Sequence, residues 1–167
     1  MTEYPFSTIF VNNRDVELIK IISGEAIGQS DFEENTFSFI RSWLAGEKEF
    51  YQNTSGSTGA PKIISITREQ MEASARLTQE ALQLKSGFLA LVCLDTRYIA
   101  GKMMLARCFV TGMKIIAVNP SANPLREIEP NQRIDFSAFV PYQIQEIVTS
   151  EFAYRLNTIQ TNIIGGA

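Results

Sequence analysis

Residues 53–62 read NTSGSTGAPK. Hydroxyls at Thr54, Ser55, Ser57 and Thr58, glycines at 56 and 59, Pro61 and Lys62 crowd into one short stretch. Two chemistries suit those residue types. One is a solvent-exposed turn in which the glycines supply positive φ and Pro61 fixes the exit. The other is an anion cradle, where small residues let the backbone approach a phosphate, amides and hydroxyls donate hydrogen bonds, and Lys62 supplies a full positive charge. The spacing excludes two familiar cradles. A Walker loop needs lysine directly after glycine and before a hydroxyl, whereas Gly59-Ala60-Pro61-Lys62 runs into Ile63. Gly56 and Gly59 do not make G-x-G-x-x-G, and the segment that follows reads as a strand rather than a helix.

The remaining chemistry is sparse. The chain has no histidine, which removes every Ser-His-Asp or Cys-His nucleophile and every His-ligated metal site. No metal-ligand set and no catalytic acid, base or nucleophile is assigned. Cys93 and Cys108 are the only cysteines and lie in apolar segments, so they read as core thiols. Tyr98, Gly101 and Lys102 fall on a strand-to-helix connection, where an α/β sheet commonly presents its ligands; packing explains them equally well. Gly165 and Gly166 end a predicted strand, where they either let a ligand approach the backbone or simply fray. Asp95 and Arg97 read as a solvated turn pair.

The whole chain narrows the classes further. At 167 residues, with 45% hydrophobic and 20% charged side chains, it has the size and composition of one folded domain. A net charge of -3 offers no broad basic surface for nucleic acid. The apolar runs are too short to cross a bilayer, and the N-terminus lacks a basic start and an apolar signal region, so the expected location is cytoplasmic, away from membranes. The sequence sets no oligomeric state.

The loop must be positioned by its flanks. Segments 49–54 and 62–67 are aromatic or β-branched and predict two strands joined by the loop. Thr67 and Gln70 form a capping box that opens a helix, stopped near Gly87. Upstream, residues 7–12 and 17–23 read as strands, and 31–47 as an amphipathic helix. Downstream, strands near 88–94, 113–118, 135–140 and 161–165 alternate with helices at about 100–111 and 141–150 and a short helical piece at 151–156. That alternation predicts the α/β class: a largely parallel sheet flanked by helices. The helix at 100–111 is apolar nearly all round and is expected to be buried. Residues 1–47 form an N-terminal strand/helix segment and 48–167 an α/β subdomain carrying the loop.

With those residues in view, the stretch TSGSTGAPKIISITREQM resembles the phosphate-binding signature of the adenylate-forming superfamily: acyl- and aryl-CoA synthetases, peptide-synthetase adenylation domains and luciferase. YIAGKMMLARCFVTGMKIIAV, FSAFVPYQIQEIV and NIIGGA are similar to later segments of that family, and the narrower resemblance is to o-succinylbenzoate–CoA ligases of menaquinone synthesis. Tyr98 stands where such ligases often carry a histidine. The resemblance implies part of the family's N-terminal domain and an AMP-forming acid–thiol ligase. Thr54, Ser55, Gly56, Ser57, Thr58, Gly59 and Lys62 would then hold the ATP phosphates, and Tyr98, Gly101, Gly165 and Gly166 would border the acyl pocket. The implied substrates are a small carboxylate, ATP with Mg²⁺, and CoA. It also implies that the adenine site, the ribose-binding aspartate, the hinge and the C-terminal domain with its catalytic lysine lie beyond Ala167, and that these residues alone do not turn over. A non-catalytic phosphate- or nucleotide-binding module is the other reading.

Overall fold

The computed structural model describes residues 4–54 and 62–165, without the side chains of 53, 54 and 62. The chain opens with a hairpin of β1 (Thr8–Val11) and β2 (Arg14–Glu17). Asn12 and Asn13 turn it with φ of 42° and 66°, the double positive φ of a two-residue turn whose twist matches its strands. The second strand expected at 17–23 is instead mostly helix: β2 ends at Glu17, and α1 (Leu18–Ser23) follows at once. Its apolar residues are spaced for a helix, since Leu18 and Ile21 are buried while Ile19 and Ile22 face out. Gly24, at φ 81°, closes it in the left-handed region.

Helix α2 (Asp31–Leu44) starts on Ser30, whose hydroxyl accepts the Glu33 amide. Strands β3 (Glu49–Thr54) and β4 (Lys62–Thr67) pair antiparallel, so the 55–61 segment joins strand to strand as expected. Helix α3 (Arg68–Leu82) opens on the full Thr67/Gln70 capping box and stops at Gln83, in the left-handed region at φ 52°, four residues before the expected Gly87. Then come β5 (Leu89–Val92), α4 (Ile99–Thr111), β6 (Lys114–Ala117), β7 (Phe136–Phe139), α5 (Pro141–Val148), a 3-10 turn at Ala153–Thr158 and β8 (Thr161–Ile164).

The main sheet runs β2-β1-β6-β5-β7-β8, with β2 antiparallel and the rest parallel; β3 and β4 form a separate two-stranded hairpin. Strand β1 thus pairs directly with β6. Each central strand buries both faces. On β5, Ala90 and Val92 join one core with Phe37, Trp43 and Met104, while Leu91 joins a second with Ile116, Phe139 and Ile147. This two-sided burial is why the strand segments read as continuous apolar runs rather than alternating ones. Helix α4 is buried along most of its length, as its all-round apolarity predicts.

Candidate functional site

Two features of the sheet converge on one end. The connection from β5 leads through α4 to β6 on one side, and that from β7 leads through α5 to β8 on the other. Their carboxyl ends therefore flank a topological switch point, the place where open α/β sheets form a ligand crevice. A cleft of about 590 Å³ opens on the hairpin side and another of about 510 Å³ at the strand ends.

The strand-end cleft is bordered by Cys93–Asp95, Tyr98, Ser121, Val140 and Tyr142. Gln143 ties it together. Its Nε2 donates to the carbonyls of Ser121 at 3.0 Å and Cys93 at 3.4 Å, and its Oε1 accepts the Val140 amide at 3.1 Å. A buried amide used this way fixes the ends of β5, β6 and β7 relative to one another. Sequence reasoning missed this residue. The available signal was glutamine at the third position of a helix that starts with proline, a place suited to capping the preceding amide.

The hairpin cleft is lined by Gln52, Ile63, Thr96, Arg97 and Lys102, among others. At its base the buried Thr36 and Thr96 hydroxyls lie 3.0 Å apart. Lys102, at the start of α4, donates to the Tyr51 carbonyl at 2.7 Å and so links the hairpin to the carboxyl end of β5. Burial lowers the pKa of this ammonium. Asp95 and Arg97 form a turn ion pair at 2.6 Å with the arginine well exposed. Burial by itself would raise the Asp95 carboxyl, but hydrogen bonds from the Arg97 side chain and amide hold it below its ordinary value.

Of the phosphate-loop residues, Thr54 ends β3 and Lys62 starts β4, cross-paired in register at the mouth of the loop. Ser55, Gly56, Ser57, Thr58 and Gly59 lie outside the described residues, as does Gly166. Tyr98 precedes the first turn of α4 and borders the strand-end cleft, half exposed. Gly101 is packed against backbone: a Cβ there would stand 2.4 Å from the Asp95 carbonyl oxygen and 2.7 Å from that of Leu94. Gly165 borders a smaller cleft of about 170 Å³ between α4 and the ends of β7 and β8. Its amide donates to the Phe139 carbonyl at 3.1 Å. Cys93 and Cys108 are both fully buried, and burial pushes each thiol up to about 12. Both are packing residues.

An acyl-CoA synthetase (AMP-forming)/AMP-acid ligase II-like protein from Dyadobacter fermentans superposes with a TM-score of 0.79 at 37% identity, over 87% of this chain and 42% of its own. This architecture is that of the N-terminal domain of adenylate-forming enzymes. Two further structures agree on the fold. The inhibitor-bound N-terminal domain of FACL13 from Mycobacterium tuberculosis gives a TM-score of 0.61 at 21% identity, covering 71% of this chain and 30% of its own. The O-succinylbenzoate Coenzyme A synthetase of Bacillus subtilis, in complex with AMP, gives 0.58 at 20% identity, covering 70% and 30%. No family model and no curated protein matches the chain. The chain spans less than half the length of these adenylate-forming structures. Among the described residues no helix is long and apolar enough to cross a membrane.

Proposed function

We propose that the chain is the N-terminal part of an ATP-dependent carboxylic acid–CoA ligase, which forms an acyl-adenylate and then a thioester, with an aromatic keto-acid such as o-succinylbenzoate as the acid. One observation carries the reading: the hairpin register sets Thr54 opposite Lys62 at the mouth of the SGSTGAP loop, and Lys102 ties that hairpin to the carboxyl end of β5 beside the switch point. A hydroxyl- and glycine-rich segment whose flanking strands lie beside the crevice of a parallel sheet suits the β- and γ-phosphates of ATP. In this reading Thr54, Ser55, Ser57 and Thr58 donate to the phosphates with the amides of Gly56 and Gly59. Lys62 offsets the charge that grows on pyrophosphate as it leaves. ATP brings its Mg²⁺, the acid lies near Tyr98 and Gly165, and CoA is the acyl acceptor.

The test has two arms. Titrating ATP–Mg²⁺ into labelled protein is expected to shift the Gly56 and Gly59 amide signals at millimolar concentration, and Lys62→Ala to weaken that binding about tenfold or more. Unmoved glycine signals reject the cradle. In a polypeptide that carries these residues together with the remainder of a ligase, carboxylate-dependent ATP–pyrophosphate exchange is expected, and Lys62→Ala lowers it by about ten- to a thousandfold. ATP binding without exchange under any acid selects the non-catalytic nucleotide-binding module.

A further inference from the structure

Helix α1 keeps Leu18 and Ile21 in the core and leaves Ile19 and Ile22 exposed. At i and i+3 these two isoleucines share one face of the helix. They form a wall of a further cleft, of about 590 Å³, whose other walls are Tyr4 and Phe6 ahead of β1 and Trp43 and Leu44 at the end of α2. That volume lies within the ~300–1,000 Å³ of small-molecule sites, and mostly apolar, aromatic walls with a few polar groups are the usual make-up of such a site.

Strand direction sets its place. Strands β1 and β6 run parallel, so Phe6 and Ser7, which precede β1, stand at the amino end of the sheet. Leu18 follows the antiparallel β2, and its amide donates to the Ser7 carbonyl at 2.8 Å, closing that end. Helix α2 starts at the carboxyl end, where the Ser30 hydroxyl meets the Asn119 side chain at 3.0 Å. Its 14 residues carry Trp43 and Leu44 about 20 Å toward the amino end. The cleft thus lies across the sheet from the switch point, and it shares no residue with the strand-end or hairpin cleft.

Charge selects the ligand. Glu17 and Arg68 are the charged residues of the cleft. Glu17 is matched by Lys20 at 2.7 Å. Arg68 is matched only in part: its Nε donates to Glu72 at 2.8 Å, but the same carboxylate also takes Arg76 at 3.3 Å, so two guanidiniums share one anion. Nη1 of Arg68 donates to the Trp43 carbonyl at 2.8 Å, and among the described residues Nη2 has no acceptor. The guanidinium stands over the Trp43 ring, 4.2 Å from its centroid, which joins the surplus positive charge to the apolar wall.

We propose that this cleft is a second ligand site, which takes an amphiphilic monocarboxylate: its alkyl or aromatic tail lies against Tyr4, Phe6, Ile19 and Ile22, and its carboxylate accepts from Nη2 of Arg68. One negative charge balances the one surplus positive charge of the Arg68–Glu72–Arg76 cluster. The site does not rest on the ligase reading. A charge-assisted hydrogen bond at a partly exposed arginine gives about a tenfold preference for the acid over its neutral amide.

Octanoate and 4-phenylbutyrate, each against its primary amide, are titrated into the protein with labelled isoleucine methyls, and Trp43 fluorescence is followed in parallel. The Ile19 and Ile22 methyl signals are expected to shift while that of Ile63, in the hairpin cleft, stays in place. The acid is expected to bind about tenfold more tightly than its amide. Arg68→Gln removes that preference and leaves amide binding unchanged, and Arg68→Lys keeps part of it. Because Arg68 also braces the hairpin, Ile22→Glu is the second probe. It changes an exposed side chain, sets a carboxylate in the apolar wall, and is expected to weaken octanoate about tenfold or more with an unchanged melting temperature. Equal binding of acid and amide, an unchanged preference in Arg68→Gln, wild-type affinity in Ile22→Glu, or no shift at Ile19 and Ile22 with either acid each overturns the proposal. Failure of the phosphate cradle would show separately, at the Gly56 and Gly59 amides under ATP–Mg²⁺.

Discussion

At the residue scale, two positions carry strain or charge whose removal has a definite sign. Gly101 lies where α4 crosses the end of β5, and any Cβ there would meet backbone atoms of Leu94 and Asp95, which cannot swing aside. Gly101→Ala is therefore expected to cost about 3 kcal/mol or more, read as a lower denaturant midpoint; a midpoint within error of the wild type would show that the crossing relaxes freely. Glu33 is the most buried acid among the described residues. Burial alone would raise its carboxyl, but the Gln29 amide at 2.9 Å, the Asn12 side chain at 2.7 Å and the Arg14 guanidinium bring it below its ordinary value. A carboxyl lowered in the fold contributes stability that is complete above its unfolded pKa, about 4.3, and is lost as pH falls through its folded value. Melting temperature is expected to fall on acidification below about pH 4.5. Glu33→Gln should melt lower at neutral pH and respond less to acid, and a variant with the full wild-type acid slope would assign that slope to other carboxyls.

At the element scale, the hairpin of β3 and β4 stands apart from the main sheet and exposes Tyr51, Ile63 and Ile64. Phe50 roots it, packed at 5.1 Å from the Phe39 ring and 5.7 Å from that of Trp43, and Arg68, just past β4, stacks on Trp43 at 4.2 Å while donating to its carbonyl at 2.8 Å. Nearer the loop, Tyr51 and Ile63 are exposed, and the hydrogen bond from Lys102 to the Tyr51 carbonyl ties the hairpin to the start of α4. Lys102→Met is expected to raise amide exchange at the loop end of the hairpin about fivefold, the effect of losing one hydrogen bond, with little change at α3. Exchange that stays at the wild-type rate would mean that Phe50 alone sets the hairpin. The capping box at Thr67 and Gln70 is an independent local contribution: Thr67→Ala is expected to cost about 1 kcal/mol, measured by denaturant unfolding, and no loss would mean that helix packing carries that end.

At the scale of the whole molecule, one core joins elements far apart in sequence. Phe6 and Ile9 from the N-terminal segment, Trp43 from α2, Phe50 from the hairpin, Met104 from α4 and Phe136 from β7 all belong to it. A shared core makes the hairpin and the sheet lose their packing together. Denaturation followed by the fluorescence of Trp43, the only tryptophan, and by far-UV circular dichroism is therefore expected to give coincident curves. Separate midpoints would show that hairpin and sheet unfold as two units.

What the sequence determined by itself was local in origin. The Thr67/Gln70 box, the short apolar, aromatic or β-branched runs of β3 to β8 and the apolar circumference of α4 depend on short-range hydrogen bonding and periodicity, so the α/β alternation and the strand-to-strand placement of the 55–61 loop could be read directly. Local signals failed where two answers differed little in propensity: ELIKIIS suits strand or helix equally, and the Asn12-Asn13 turn, which ends β2 at Glu17, decided for helix. Tertiary structure alone decided the strand order, with β1 against β6 and the switch point between β5 and β7, because pairing partners are chosen by burial across the whole chain rather than by neighbours. It also decided which polar groups matter. Gln143 and Lys102 are unremarkable letters on helices; one joins three strand ends and the other holds the hairpin. Most of the hydrogen-bond partners of these side chains come from elements distant in sequence, and local pattern reaches only the capping bond of Gln143 to the Val140 amide.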